Sequence, residues 1–211
     1  MANVAVVDYG MGNLHSARKG LERAGLTPEV TDSGAAIEAA DAVVLPGVGS
    51  FDPAVRALRS QGLVAPIERV IAAGTPFLGI CLGMQVLFEG SEEGSEPGLG
   101  LVAGTVRRFR REPGLAIPHM GWNELQLAQP HHALWQGLPE RPSVYFVHSY
   151  YAVPRDASTQ AATTQHGSQT VTAAIARANL MALQFHPEKS SGIGLQILAN
   201  FASGVRAQVA A

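Results

Sequence analysis

The chain has little cysteine, few aromatics and little charge. A single cysteine among 211 residues permits no internal disulfide and excludes a secreted disulfide scaffold. Charged residues make up 15%, with 15 Lys+Arg against 17 Asp+Glu and a net charge of −2. A chain this close to neutral exerts no general pull on nucleic acid or on an anionic membrane. No apolar stretch reaches the ~18 residues of a membrane span. The N-terminal run Met1-Ala2-Asn3-Val4-Ala5-Val6-Val7-Asp8 has no basic segment ahead of its apolar residues, so no signal peptide is expected. No internal repeat and no separating linker stand out. What is present is apolar: 46% hydrophobic residues offset the entropy of ordering and exclude a disordered chain. A soluble cytoplasmic protein with one domain over residues 1–211 is expected.

The first part of the chain alternates strand and helix patterns. Asn3 to Val7 is a continuous apolar run of the kind that forms a buried parallel strand. Leu14 to Ala24 reads as a helix stopped by Gly25. Val30 falls in a short second strand and Ala42 to Leu45 forms a third, closed by the loop Pro46-Gly47-Val48-Gly49-Ser50. Asp52 and Pro53 have the character of a cap and first position of a helix. Residues 61 to 73 read as helix, Thr75 to Ile80 as a fourth strand and Leu82 to Phe88 as a helix. This alternation predicts a mostly parallel sheet flanked by helices. Glu89 to Gly100 is an acidic, glycine-rich surface loop. Beyond it, Leu101–Val106, Val144–Val147, Val171–Ile175 and Leu180–Phe185 are strand-like without long helices between them, which predicts a partly antiparallel extension of the sheet. Ile193 to Val205 closes the chain as a helix. The fold class is α/β.

Two motifs carry chemistry. Gly79-Ile80-Cys81-Leu82-Gly83 stands where a buried strand meets a helix. Glycines flanking a nucleophile relieve crowding in a sharp, strained turn that projects the central side chain. The central residue here is the one cysteine, at the positive end of a helix dipole, which favours a nucleophilic anion. A structural buried cysteine is the alternative. The second motif is Gln184-Phe185-His186-Pro187-Glu188. In an extended segment His186 and Glu188 face the same side, so the carboxylate can orient the imidazole and stabilise its cation. A surface His-Pro-Glu turn is the alternative. Cys81 and His186 both follow strand ends, where ligands gather in a parallel sheet.

Together these motifs resemble the triad of the class I (cysteine-triad) glutamine amidotransferases, and the resemblance runs over nearly the whole chain. Asp8-Tyr9-Gly10-Met11-Gly12-Asn13-Leu14, Pro46-Gly47-Val48-Gly49-Ser50-Phe51, Pro118-His119-Met120-Gly121-Trp122-Asn123 and Tyr145-Phe146-Val147-His148-Ser149-Tyr150 narrow it. They are similar to the branch that supplies ammonia to imidazole glycerol phosphate synthesis in histidine biosynthesis. Sister enzymes carry Pro-Gly-Gly where this chain has Pro46-Gly47-Val48-Gly49. The resemblance implies a glutamine amidotransferase type 1 fold and a glutaminase. Cys81 would attack the glutamine amide, His186 would move the proton and Glu188 would hold His186. The oxyanion would be met by the N–H of Leu82 and by the peptide at Val48 or Gly49, which points away at rest. Gln85, Ser149 and Tyr150 would contact substrate. The partner implied is a (β/α)8-barrel cyclase subunit in a heterodimer, met by Asn13, Met120, Trp122, Tyr145 and Lys189. For Trp122 the alternative is core packing, and for Lys189 a solvated lysine.

No cofactor, metal, nucleic acid or membrane is implied. Arg107-Arg108-Phe109-Arg110-Arg111 is the one basic cluster and reads as a solvated strand face or a local contact. His131-His132 has no cysteine or carboxylate at ligand spacing. His15, His119 and His166 read as surface or interface histidines. Pro46-Gly47-Val48-Gly49-Ser50 lacks the Lys-Ser/Thr ending of a phosphate loop. An amidotransferase subunit serving a different acceptor, a stand-alone Cys-His hydrolase and a subunit with an inactive site stay open as alternatives.

Overall fold

A computed structural model describes residues 2–210. The chain runs β1 (Asn3–Val7), α1 (Leu14–Arg23), β2 (Thr27–Thr31), α2 (Gly34–Ala39), β3 (Ala42–Gly47), α3 (Phe51–Ser60), α4 (Val64–Ala72), β4 (Phe77–Cys81) and α5 (Leu82–Gln85). It continues with β5 (Gly104–Arg108), β6 (His119–Glu124), β7 (Gln126–Leu127), β8 (Ser143–His148), β9 (Tyr150–Pro154), β10 (Gln160–His166), β11 (Gln169–Arg177), β12 (Leu180–Leu183) and α6 (Ser191–Val209).

One sheet has the order β2-β1-β3-β4-β12-β11-β10-β7. The first five strands pair in parallel and the rest antiparallel. This is the mostly parallel sheet with an antiparallel extension that the patterns predict. The period-2 alternation of each strand feeds two cores. Val4 and Val6 of β1 join Leu78, Ile80, Phe146, Phe185 and Phe201 on the face covered by α1 and α6. Ala5 and Val7 join Val43, Leu45, Phe51, Ile67 and Phe77 on the other. Two small antiparallel sheets, β5–β9 and β6–β8, complete the structure.

Two local expectations are corrected. Asp52 does not cap α3: the helix starts at Phe51, two residues earlier than expected, and Asp52 instead accepts the N–H groups of Ser95 and Glu96 at 3.0 and 3.1 Å. The helix after Cys81 ends at Gln85, because the returning chain claims the next carbonyls: Leu99, Val102 and Gly100 donate to Val86, Leu87 and Phe88 at 2.9, 3.0 and 3.2 Å. The acidic surface loop is tied down by its carboxylates. Its Glu89 accepts from Gly104 N–H and pairs with Arg155, and its Glu96 meets Arg59. The strand β6 is not evident in the sequence, since His119, Asn123 and Glu124 mask its pattern.

Candidate active site

The glycines beside Cys81 are there for space. A Cβ on Gly83 would run into the Leu45 carbonyl, and one on Gly79 would come within 2.9 Å of the Gly83 oxygen and 3.1 Å of Ala182 Cβ. Only without side chains can α5 fold straight back over β3 and β4. The turn forces Cys81 to φ 56°, ψ −112°. Positive φ in a residue with a Cβ is strained, and here the packing on both sides holds it. Cys81 is left 8% exposed.

His186 follows β12, the strand beside β4, so the imidazole is delivered next to the thiol. Its Nδ1 lies 2.7 Å from Glu188 Oε1, with both side chains buried. Pro187 and Glu188 form one short turn that returns the carboxylate to the ring. The second carboxylate oxygen and Nε2 of His186 are buried without a hydrogen-bond partner. Nε2 is therefore free toward the thiol. Burial alone would lower the proton affinity of His186, but Cys81 and Glu188 outweigh it and raise the pKa to about 9. The ring carries its proton at neutral pH.

Beside this triad lies a cavity of about 460 Å³ lined by Val48, Gly49, Cys81, Leu82, Gln85, Glu93, Ser149 and Tyr150, among others. The residues expected to meet the substrate and the oxyanion thus converge. Leu82 opens α5 directly after the cysteine. Val48 does not present its N–H to the cavity: the amide donates to the Met11 carbonyl at 3.2 Å. Gly49 follows at φ 102°. Gln85 donates from Nε2 to the Tyr150 carbonyl and to Gln184 Oε1, each at 3.0 Å, which leaves its Oε1 without those duties.

Two groups at the site have no local sequence signal. Glu93, from the acidic loop, accepts the Phe51 N–H at 2.8 Å and so supplies the cap that Ser50 does not. Gln184, fully buried, donates from Nε2 toward Cys81 Sγ at 3.8 Å. The Gln-Phe-His-Pro-Glu run holds Gln184, yet its target is too distant in sequence to be guessed.

The residues expected at a partner interface are dispersed in environment. Met120 and Trp122 are 61% and 54% exposed, so Trp122 is not core packing; its ring stands edge-on to Tyr145 at 6.1 Å. Lys189 is exposed and half-buried Asn13 caps α1 by accepting from Ser16 N–H. Among the predicted surface histidines, His15 is exposed and His166 half-buried, but His119 is buried, stacked on Phe146 and His166 at 4.6 and 4.3 Å. Its strand alternates, and His119 faces inward. The four arginines of the basic cluster are exposed, Arg107 and Arg108 on β5 and Arg110 and Arg111 beyond it, while Phe109 between them is buried. Among the described residues, no group of three or more His, Cys, Asp or Glu is placed to hold a metal ion, and no helix is long and apolar enough to cross a membrane.

A strained cysteine between packed glycines, with a carboxylate-held imidazole just past the end of the neighbouring strand, is the arrangement of a thiol amidase. The pattern of the family described as glutamine amidotransferase class-I matches residues 5–205, and the chain belongs to that family. Within it, the chain is 65% identical to the imidazole glycerol phosphate synthase subunit HisH of Gloeothece citriformis over 211 residues, covering 100% of both chains. It is 67% identical to the subunit of the same name from Microcystis aeruginosa over 206 residues, covering 98% of this chain and 97% of the relative. Among solved structures, PurLQS from Thermotoga maritima superposes with a TM-score of 0.75 at 20% identity, covering 99% of this chain and 100% of that one. The glutaminase domain of Trypanosoma brucei CTPS, with bound acivicin, gives 0.67 at 17% identity, over 96% and 94% of the two chains. At such identities the likeness is one of fold.

Proposed function

We propose that the chain is the glutaminase subunit of an imidazole glycerol phosphate synthase, a cytoplasmic heterodimer with a (β/α)8-barrel cyclase. The observation that carries the chemistry is the buried His186–Glu188 pair beside Cys81, at the edge of a cavity walled by Gln85 and Glu93. The full-length identity to HisH subunits supports the pathway.

The Cys81 sulfur attacks the side-chain carbonyl carbon of glutamine. His186 carries the thiol proton and delivers it to the departing nitrogen, so ammonia leaves and a glutamyl thioester remains. Water, losing a proton to His186, cleaves the thioester to glutamate and returns the thiol. Glu188 keeps the ring oriented and offsets its positive charge. The Glu93 carboxylate and the free Gln85 oxygen suit the α-ammonium of the substrate.

The negative oxygen of each tetrahedral intermediate needs donors. Leu82 N–H is one. The Val48 N–H, held by the Met11 carbonyl, becomes the second only if that peptide rotates. Gly47 and Gly49 on either side make rotation inexpensive. Binding of the cyclase and its nucleotide ligand, converting a phosphoribulosyl formimino carboxamide ribotide to imidazole glycerol phosphate and an aminoimidazole carboxamide ribotide, would drive the rotation. Exposed Met120 and Trp122, with Lys189, Tyr145 and Asn13, supply the docking face. Ammonia then passes to the barrel without reaching water.

The test is glutamate release by the chain alone, with the cyclase, and with the cyclase plus its nucleotide ligand. Near-silence alone and a large rise in the full mixture are expected. Strong hydrolysis without the partner would point to a free-standing amidase. Cys81→Ala is expected to abolish glutamine-dependent synthesis while sparing the ammonia-dependent reaction of the cyclase. Loss of both would overturn the assigned role.

A further inference from the structure

A chain of hydrogen bonds crosses the molecule from β6 to the nucleophile, and each proton in it has one possible direction. It is easiest to trace backward from the Tyr150 carbonyl, which can only accept. His148 Nδ1 lies 2.8 Å from that oxygen, so Nδ1 bears the hydrogen. A neutral ring then has Nε2 as an acceptor. His119 Nδ1, at 3.0 Å, must donate to it. Nε2 of His119 is left to accept, and Asn123 Nδ2 stands 3.1 Å away. The Asn123 amide is oriented independently: Nδ2 also donates to the Gln165 carbonyl at 2.8 Å, and Oδ1 accepts the Glu124 N–H at 2.9 Å. Both rings are buried among Phe109, Phe146 and His166, which keeps them uncharged and so preserves the direction.

The chain continues past Tyr150. The same carbonyl accepts Gln85 Nε2, Gln85 Nε2 also donates to Gln184 Oε1, and Gln184 is thereby turned so that its Nε2 faces Cys81 Sγ at 3.8 Å. A buried amide with its oxygen engaged has only its N–H groups to offer the sulfur.

We infer that Gln184 is a further catalytic residue, donating a hydrogen bond that stabilises the Cys81 thiolate, and that Asn123, His119 and His148 are positioning residues that set its orientation through Tyr150 and Gln85. The inference rests on Cys81 being the nucleophile and needs neither glutamine nor a partner subunit. It also gives strand β6 two faces with different tasks. Outward, Met120 and Trp122 are exposed; inward, His119 and Asn123 begin the line to the sulfur.

Because Cys81 is the one cysteine, alkylation of the intact chain by iodoacetamide reports on its thiolate alone. Gln184→Leu is expected to slow alkylation at pH 7 roughly tenfold, the loss of one hydrogen bond to a charged group. Its rate should converge with that of the parent chain at high pH, where the thiol ionises without help. His148→Leu should slow the reaction about threefold for want of the donor to Tyr150, and His148→Asn, whose amide reaches the position of Nδ1, should restore it. A parent-like rate for Gln184→Leu, or a deficit persisting at high pH, would overturn the role of Gln184. Equal rates for the two His148 variants would overturn the chain behind it. A measurement on the unsubstituted protein guards against misfolded variants: ¹⁵N imidazole spectra should place both His119 and His148 in the Nδ1–H form. An Nε2–H ring at either position would refute the chain. Failure of the glutaminase assignment would appear in glutamate release instead, leaving these readouts unmoved.

Discussion

The strands β3 and β4 are parallel neighbours, and their last residues, Gly47 and Cys81, lie side by side in register. Beyond those two residues the strands part company. After Cys81 the chain folds back at once into α5, pressed so close that Gly83 has the Leu45 carbonyl where a Cβ would be. After Gly47 it runs outward, with Val48 40% exposed and its amide tied to Met11 by one bond of 3.2 Å. One strand end is held from every side and presents the cysteine proposed as nucleophile. The other is held by one backbone hydrogen bond, which engages the amide proposed as an oxyanion donor. On the proposed function the site is half fixed and half adjustable, and the adjustable half is where the partner would act.

Glycine substitutions test that contrast most severely. Gly83→Ala sets a Cβ against backbone, which cannot swing away, so roughly 4 kcal/mol of stability should be lost. Gly49→Ala meets only the flexible end of Met11, at 2.8 Å, plus the strain of φ 102°, and should cost about 1–2 kcal/mol. Urea midpoints of the two variants measure the difference. Similar midpoints would mean that the elbow is no more rigid than the loop.

Next comes the donor itself. Val48→Pro deletes the N–H, so the loop loses both its tie to Met11 and its proposed oxyanion contact. Partner-stimulated glutaminase turnover should fall about 10²–10³-fold, with Cys81 alkylation unchanged. Undiminished turnover would transfer the donor role elsewhere. Smaller again is the effect of Trp122→Ala, which should weaken cyclase binding about 10–30-fold without lowering the melting temperature, since the ring is half exposed. Unaltered affinity would remove Trp122 from the docking face.

The same contrast explains what can be read in the sequence. The parallel half is written in continuous apolar runs such as Ala42 to Leu45, and the elbow in two glycines around a cysteine, so its strands and its strained turn at Cys81 are legible. His186 and Glu188 are legible because two residues of extended chain suffice to pair them. In the antiparallel half, apolar runs such as Val144–Val147 and Val171–Ile175 are legible as strands, but β6 and the groups that line the site are polar residues whose partners are remote. His119 is buried only because β6 pairs with β8 and turns it inward. Glu93 lines the cavity only because Phe51, far along the chain, needs a cap. Asp52 has the look of a cap and is instead a clasp for Ser95 and Glu96, an outcome of tertiary contact that no local pattern records.

The two halves also differ in how they hold their histidines, and pH can separate them. In the antiparallel half, burial is the main force that lowers the pKa of His148 to about 3 and of His119 to about 4, with neighbouring imidazoles adding to it. Beside the elbow, Cys81 and Glu188 overcome burial and raise His186 to about 9. The signs are therefore opposite. Unfolded, all three rings titrate near 6.5. Between pH 6.5 and 4 the unfolded chain takes up protons that His148 and His119 refuse, so stability falls with falling pH, by up to about 1.4 kcal/mol per pH unit for each ring. His186 contributes fully below pH 6.5, and its contribution is lost as pH rises through 9. Urea midpoints should therefore drop on both sides of neutrality. His148→Asn should make the acid limb shallower by about one proton while leaving the alkaline limb alone, and exposed carboxylates cancel in that comparison. An unchanged acid limb would mean that His148 takes up a proton in the folded protein, and the buried half would then be no drier than the site it supports.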